Sequence, residues 1–557
     1  MPVDGRRVTQ AAVSSTAAMA PTKKGWLALV ALATAQFVMV LDQSVMNVSI
    51  SALVKDFDTT VTTIQAVITL YCLVMAMLIM TGAKVGDIIG RRRAFVIGLC
   101  IYACGSALTA VSQTVFQLAL GWSVLEGIGA GLVLPALAAL IAGNFEGPRR
   151  KAAYAIIGGV AGAGIAIGPI LGGWATTNVT WRIVFAGEVL LVAFILIMTP
   201  KVRDTERPRP TPKLDYVGLV LSASGLGLFV FGVLESSTWG WLKPKNSPIT
   251  IFGFSLTVYV MAAGAALIWG FVAWQRHREE RDRDPLVHLS LARIPAVRSG
   301  LIGLFSQNLI LMGVFFVVPL YLQLVLGLDA LETGIKMLPV SITMFLTSAV
   351  GSRLSNRFQV RTIVRAGVIV TIAGSLILLG TIRPTLANAG FALGMGVLGI
   401  GMGLMVSQLG NVVQSSVDAS GRSEAGGLQY TGQQLGSSLG VALIGAIVLM
   451  GLTSTFISNV EKDTRISSEA AAQVGVAAGS NTNFLSADEV HAAASAAGLD
   501  SATVTAVVEN YEAAQLRSLK AGLLTAALLA LLSLAFTREL PHDQPLAPKK
   551  ERQPAGS

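Results

Sequence analysis

The chain has 557 residues, 53% of them hydrophobic and only 13% charged, with a mean hydropathy of +0.66. Soluble domains carry about 25% charged residues, and a surface wetted on all sides cannot be covered with half that charge. An ordinary cytosolic enzyme, a disordered protein and a coiled coil are thereby excluded. The net charge of +10 would suggest nucleic acid on a soluble chain; on a membrane chain it reports basic loops on the cytoplasmic side.

A helix crosses a bilayer with about 20 largely apolar residues. Spans 1 to 7 are expected near Gly25–Val48, Thr63–Gly82, Ala94–Ser112, Val115–Ala142, Ala152–Ala175, Ile183–Thr199 and Leu214–Leu234. Spans 8 to 14 follow near Ile249–Trp274, Val297–Leu320, Leu331–Val350, Ile363–Thr381, Ala387–Val412, Gly426–Leu452 and Leu519–Phe536. Span 6 is short, and Pro339 interrupts span 10. Span 1 does not read as a signal peptide: it follows a 24-residue tail, is too long and carries Asp42.

Of the 41 Lys and Arg, 31 fall in the even-numbered connections and the two tails. Arg91-Arg92-Arg93, Arg149-Arg150-Lys151 and the stretches Lys201 to Lys213, Arg276 to Arg298 and Arg353 to Arg365 are examples. Basic residues mark the cytoplasmic face, so both termini are expected inside. Cys72, Cys100 and Cys104 lie in apolar spans and read as small packing residues. No metal site, cofactor or disulfide framework follows from them. His277, His288, His491 and His542 read as loop or tail residues, which excludes a histidine proton relay within the membrane. Thr453 to Ser518 reads as an external insertion, rich in Ala and Ser, with Ser486 starting a helix. Phe484 and Tyr511 read as its only aromatic anchors for a partner. The tails, Met1 to Lys24 and Arg538 to Ser557, read as disordered.

Charges at membrane depth are costly and mark function. Asp42 lies deep in span 1, Glu126 in the middle of span 4 and Glu188 early in span 6. Glu235 (beside Trp239 and Trp241), Glu332 and Lys336 read as interface residues. A carboxylate removed from water binds a proton more readily and releases it when rewetted. With no membrane histidine, Asp42 and Glu126 are the leading proton carriers, with Glu188 as the third.

The connection between spans 2 and 3 reads Gly82-Ala83-Lys84-Val85-Gly86-Asp87-Ile88-Ile89-Gly90-Arg91-Arg92-Arg93. Small residues let helices approach, and Asp87 can pair with arginines in a latch that forms in one conformation and breaks in another. The segment resembles the G-x-x-x-D-x-x-G-R-R loop signature of the major facilitator superfamily, matching at Asp87, Gly90, Arg91 and Arg92, with Lys84 inside it. Ala83 stands where the first Gly is expected. Gly351-x-Arg353-x-x-Asn356, between spans 10 and 11, echoes Gly82-x-Lys84-x-x-Asp87, as internal repeats in transporters do. In span 5, Gly164, Gly168, Pro169, Gly172 and Gly173 match every position of G-x-x-x-G-P-x-x-G-G, the pattern of the superfamily's antiporters. Their spacing makes a smooth face for close helix contact.

The chain is also similar to the fourteen-span drug:proton antiporter family. It has Leu41-Asp42-Gln43-Ser44-Val45-Met46-Asn47-Val48 for L-D-x-T-x-x-N-V, and Trp181-Arg182-Ile183-Val184-Phe185 for W-R-x-x-F. Tyr321-Leu322-Gln323, Gly327, Gly334, Leu338-Pro339 and the stripe Gly432, Gly436, Gly440 extend the match. The resemblance implies an all-α integral membrane protein of major-facilitator type, with fourteen transmembrane helices in two six-helix bundles plus a central helix pair. The division would be a tail at 1–24, one bundle at 25–200, a linker with two extra spans at 201–275, a second bundle at 276–452 and 519–536, the insertion at 453–518, and a tail at 537–557. Two departures stand out. Span 4 has Ser123 and Glu126 where the family has the Arg and Gln of its R-x-x-Q-G, and span 6 has Glu188 and Leu190 where Asn and Pro are usual.

The expected function is secondary active export, by proton-coupled antiport, of amphipathic drugs or related compounds, cations among them. A specific exporter of a lipid-like or endogenous metabolite and a symporter stay open, although the span-5 pattern argues against uptake. No H-E-x-x-H, nucleophile elbow or P-loop supports an enzyme. The expected setting is the plasma (inner) membrane of a bacterium, crossed many times. The partners are then the lipid bilayer, protons and a small-molecule substrate, with no nucleic acid.

Overall fold

The computed structural model describes residues 23–541 apart from 146, 205–211, 282, 356, 418–420 and 481–482. Fourteen helices in it are long and apolar enough to cross a bilayer. Spans 1 to 7 are Trp26–Val48, Val61–Ile89, Arg91–Ala110, Val115–Ile141, Ile156–Asn178, Arg182–Lys201 and Tyr216–Trp239. Spans 8 to 14 are Leu256–Glu280, Pro295–Val325, Ala330–Gly351, Val360–Thr381, Asn388–Ser415, Glu424–Lys462 and Ser501–Glu539. Number and order agree with the apolar runs.

Spans 1, 3, 4 and 6 pack on one another, with span 5 along span 1 and span 2 along span 4. In the second half span 9 packs on spans 12, 13 and 14, while span 12 also receives spans 10 and 11. The halves meet chiefly through two pairs, span 2 with span 13 and span 5 with span 10. Spans 7 and 8 pair with each other, and span 7 leans on spans 2 and 13. Asp215 staples this pair: it caps span 7 through Gly218 N–H (3.0 Å) and accepts from Gln275 Nε2 (2.8 Å) and Trp274 Nε1 (3.0 Å) of span 8.

Several local expectations change. Span 8 starts at Leu256 and not at Ile249, because Thr250–Ile251 and Phe254–Ser255 form a small antiparallel hairpin. Phe252 and Gly253 turn it with φ of 49° and 79°. His277 belongs to the last turn of span 8 and His491 to an insertion helix, so neither is in a loop; His542 lies outside the described residues. Cys72 is buried, whereas Cys100 and Cys104 are exposed on the outer face of span 3 and pack little. The segment from Thr537 to Pro541 is not a free tail. Arg298 of span 9 bridges Glu539 (2.5 Å), and Arg365 Nε of span 11 donates to Thr537 Oγ1 (3.0 Å). The remaining tail residues, 1–22 and 542–557, lie outside the described residues.

The insertion is more ordered than its composition suggests. The helix of span 13 runs on to Lys462 and that of span 14 begins at Ser501, with short helices Ser468–Ser480 and Ala487–Ala496 between them. The Ser486 helix start is a full capping box with Glu489. Phe484 is 1% exposed, and the Tyr511 ring meets Phe456 edge-on at 5.1 Å. Phe456, Phe484 and Tyr511, all buried, belong to the insertion's core.

Candidate functional site

Span 4 opens as an ordinary turn, winds as a π-helix over Ala119–Glu126 and returns to α-helix at Gly127. The wider turn changes which side chains share a face, and Trp122, Ser123 and Glu126 are all buried. Span 3 can approach because a Cβ on Gly105 would lie 2.7 Å from Glu126 Cγ, and one on Gly121 would lie 2.6 Å from Thr109 Oγ1.

Into this contact spans 1 and 6 bring Asp42 and Glu188. The three expected proton carriers therefore meet, one oxygen of each lying within 4.8 Å of the others, and each residue is at most 1% exposed. Trp122 Nε1 donates to Asp42 Oδ1 (2.7 Å). Tyr102 and Ser106 hydroxyls donate to Glu188 Oε2, both at 3.2 Å, and Thr109 Oγ1 to Glu126 Oε1 at 3.4 Å. Asp42 Oδ2, Glu126 Oε2 and Glu188 Oε1 are buried without a partner. The Tyr71 ring stacks on Trp122 at 4.5 Å, and its buried hydroxyl lies beside Asp42. Among the described residues no Lys, Arg or His forms an ion pair with the three. Ser123, standing where the family has Arg, donates to Val67 C=O at 2.8 Å instead. Three like charges cannot stay unneutralised in a dry pocket, so the carboxyls are held in a neutralised form.

Glu332 and Lys336, the other charged residues noted in span 10, make local contacts of their own. Glu332 closes a capping box with Asp329, and Lys336 Nζ donates to Asn388 Oδ1 at 2.7 Å. Residues that sequence reasoning passed over are Trp122, Tyr71, Tyr102, Ser106 and Thr109. The one available signal was Trp122, four positions before Glu126.

The connection between spans 2 and 3 folds on itself. Asp87 pairs with Arg91 four residues on, and Arg91 Nη1 donates to Ala83 C=O at 3.1 Å. Lys84 adds a second positive charge near Asp87. Gly90 turns the chain at φ 104° and ψ 139°, a conformation that side chains resist. Arg92 N–H donates to Asp204 Oδ1 at 2.9 Å, tying this turn to the end of span 6. In the second-half echo Gly351 C=O accepts from Gln408 Nε2 at 2.8 Å, and Asn356 lies outside the described residues.

At the opposite face Asp56 receives both Trp181 Nε1 (2.7 Å) and Arg182 Nη1 (2.6 Å). The span-5 glycines divide between two partners. Gly164, Gly168 and Gly172 abut Val40, Ser44 and Val45 of span 1, while a Cβ on Gly173 would lie 2.4 Å from Ala330 C=O of span 10. Reciprocally, a Cβ on Gly334 would lie 2.2 Å from Pro169 C=O. Further bonds join the halves on this side: Gln323 Nε2 to Val48 C=O (2.8 Å), Gln65 Nε2 to Val441 C=O (2.9 Å) and Leu331 N–H to Thr177 Oγ1 (3.2 Å).

Comparison with known proteins matches this architecture. The "Probable actinorhodin transporter" of Streptomyces coelicolor is 30% identical over 79% of this chain and 75% of its own length. The tetracenomycin C resistance and export protein of Streptomyces glaucescens is 28% identical over 80% of both chains. The multidrug efflux pump LfrA of Mycolicibacterium smegmatis is 28% identical over 93% of this chain and 97% of its own. Among solved structures, an inward-facing bacterial homolog of the human lysosomal transporter Spinster superposes with a TM-score of 0.58 at 15% identity, covering 94% of this chain and 98% of that one, which speaks to the fold. The family model for the Major Facilitator Superfamily matches residues 32–441, and the chain belongs to that superfamily.

Proposed function

We propose that this fourteen-span transporter is a proton-driven exporter working by antiport and alternating access. The observation that carries the reading is the buried cluster of Asp42, Glu126 and Glu188, without a basic partner, on three spans of one bundle. Protons entering from outside neutralise the carboxyls, and their inward release accompanies outward release of substrate. The moving bodies are residues 25–200 and residues 276–452 with 519–536, carrying spans 7 and 8 in the 201–275 linker between them. Asp87, Gly90, Arg91 and Arg92, with Lys84, act as the latch on the cytoplasmic side, where both termini lie. Gly164, Gly168, Pro169, Gly172 and Gly173 give the close contact that keeps the outer side shut, and the 453–518 insertion is extracellular. Relatives named for actinorhodin, tetracenomycin C and multidrug efflux support amphipathic substrates.

The test uses proteoliposomes and a fluorescent amphipathic drug. An imposed pH gradient should drive drug movement, and Asp42→Asn and Glu126→Gln should stop gradient-driven movement while drug binding persists. Normal gradient-driven transport by both variants would overturn the assignment of the carriers.

A further inference from the structure

We propose that the apolar cavity between spans 2, 8, 9 and 13 binds an uncharged multi-ring aromatic molecule carrying a hydrogen-bonding oxygen, which the hydroxyl of Thr431 meets. The inference rests on the exporter reading and gives it a substrate site separate from the carboxyl cluster.

The cavity has a volume of about 310 Å³, and its walls include Met80 of span 2, Phe271 of span 8, Leu301 and Phe305 of span 9 and Thr431 of span 13. Ligand cavities start at about 300 Å³ and combine apolar walls with a few polar groups. Among the described residues no charged side chain lines it. Phe271 and Phe305 offer rings for aromatic contact, and Met80 adapts its shape to a partner. Ile302 and Phe305 also line a second cavity, of about 460 Å³, against span 14. There Ile302 and Leu532 are 43% and 71% exposed, so the two cavities open together toward the bilayer.

Two neighbouring residues of span 13 point to a ligand here. Thr431 is buried, yet its hydroxyl has no partner, and an unmet buried hydroxyl is costly. Threonine in a helix divides between two χ1 rotamers, and that rotation exchanges its methyl and hydroxyl at the wall. A carbonyl or hydroxyl of the ligand then completes the bond. An acyl chain of a lipid cannot, which selects a molecule with an oxygen. Gly432 supplies the room. Gly436 and Gly440 of the same stripe press on span 9, where a Cβ would lie 2.3 Å from Phe305 C=O and 2.2 Å from Leu309 C=O. A Cβ on Gly432 would find one neighbour, Leu301 C=O, at 3.8 Å. The stripe closes the spans on each other at two glycines and leaves space at the third.

The lip of the cavity comes from Val287 and Leu289, on the connection between spans 8 and 9. That connection is held on two sides. Leu286 N–H donates to Gln275 Oε1 at 2.8 Å, and His288 Nδ1 pairs with Glu424 Oε2 at 2.8 Å. A ligand therefore meets a formed rim. Span 2 joins the cavity to the carboxyls, because Tyr71 and Met80 lie nine residues apart on one helix, about 13.5 Å along its axis. Substrate and proton thus have separate places along one element.

The experiment photolabels the full chain in lipid nanodiscs with benzophenone, an uncharged aromatic ketone, and maps the labelled residues by peptide mass spectrometry. Saturable labelling is expected at Met80 and between Leu301 and Phe305. Thr431→Val, which keeps the shape and removes the hydroxyl, should weaken it by about two- to tenfold, and Thr431→Ser should restore it. Gly432→Leu should fill the cavity and abolish saturable labelling. A trimethylammonium derivative of benzophenone should bind more weakly by about tenfold or more, because its charge meets only apolar walls. Since Thr431→Val and Thr431→Ser are read against each other, misfolding of Gly432→Leu does not decide the outcome. Labelling that never saturates, that spreads evenly over bilayer-facing residues, or that is untouched by Thr431→Val and Gly432→Leu overturns the proposal. Equal binding of the charged derivative overturns it as well. Gradient-driven drug transport without saturable labelling would sink the cavity and leave the exporter reading standing. Saturable, Thr431-dependent labelling in a chain without gradient-driven transport would do the reverse.

Discussion

The indole N–H of Trp122 points at Oδ1 of Asp42 from 2.7 Å, and Tyr71 lies flat against that indole with an interplanar angle of 7°. An aromatic pair therefore positions one member of the carboxyl cluster. Trp122→Phe keeps the stack and removes the donor, leaving a buried acceptor unmet. Such a loss costs about 1–3 kcal/mol, so the thermal midpoint of the purified protein should fall. An unchanged midpoint would show that the bond contributes nothing.

Gly90 holds φ at 104° in the turn where Asp87 and Arg91 pair. Strained backbone of this kind costs about 1–3 kcal/mol for a residue with a side chain. Gly90→Ala should destabilise by that amount and loosen the Asp87–Arg91 turn. Protease sensitivity of the span 2–3 connection, compared between variant and parent, reads the effect directly.

Gly334 and Pro169 bring spans 5 and 10 together so tightly that no Cβ fits. Gly334→Leu should force the insertion-side ends of these spans apart. A cysteine placed at Leu331 should then react faster with a membrane-impermeant maleimide than in the parent. Equal rates would mean that the seal lies elsewhere.

Phe484 fills the core of the insertion, while the neighbouring Asn483 Oδ1 accepts from Val61 N–H at 3.0 Å at the start of span 2. Phe484→Ala should cost about 3–5 kcal/mol locally. Hydrogen exchange should accelerate in the two short insertion helices and leave spans 1 to 6 unaffected. Uniform protection across the insertion would contradict this packing.

His288 meets Glu424 through Nδ1 at 2.8 Å, and this hydrogen bond lifts its pKa above the usual histidine value. A raised folded-state pKa means that the stabilisation is complete below the unfolded value of about 6.5 and fades as pH rises through the folded one. The midpoint difference between the parent and His288→Gln should thus be largest in mild acid and smallest in alkali. A difference that grows with pH would reverse the assignment.

The fourteen spans were legible because long apolar runs leave the chain little choice in a bilayer. Their ends were less so. Span 13 continues as helix to Lys462 because Phe456 and Val460, past Leu452, still bury against the insertion helices. Asp42 and Glu126 were legible as charges too costly to bury idly. Glu188 was legible in the same way; that all three meet was not, because residues on spans 1, 4 and 6 come together only through tertiary packing. Tyr71 and Tyr102 carry no sequence mark separating a hydrogen-bonding aromatic from an ordinary apolar one, whereas Trp122 stands four positions before Glu126. The π-helical turn before Glu126 also shifts the face that a 3.6-residue count assigns.

The first six spans are stitched at both faces, by Asp56 gathering Trp181 and Arg182 at one and by Arg92 with Asp204 at the other. In the alternating-access reading proposed above, these pinned ends make this half a lever and not a bellows, able to tilt but not to swell. A motion that preserved these bonds would fall on the contacts between span 5 and span 10 and between span 2 and span 13, carrying the carboxyl cluster with the lever.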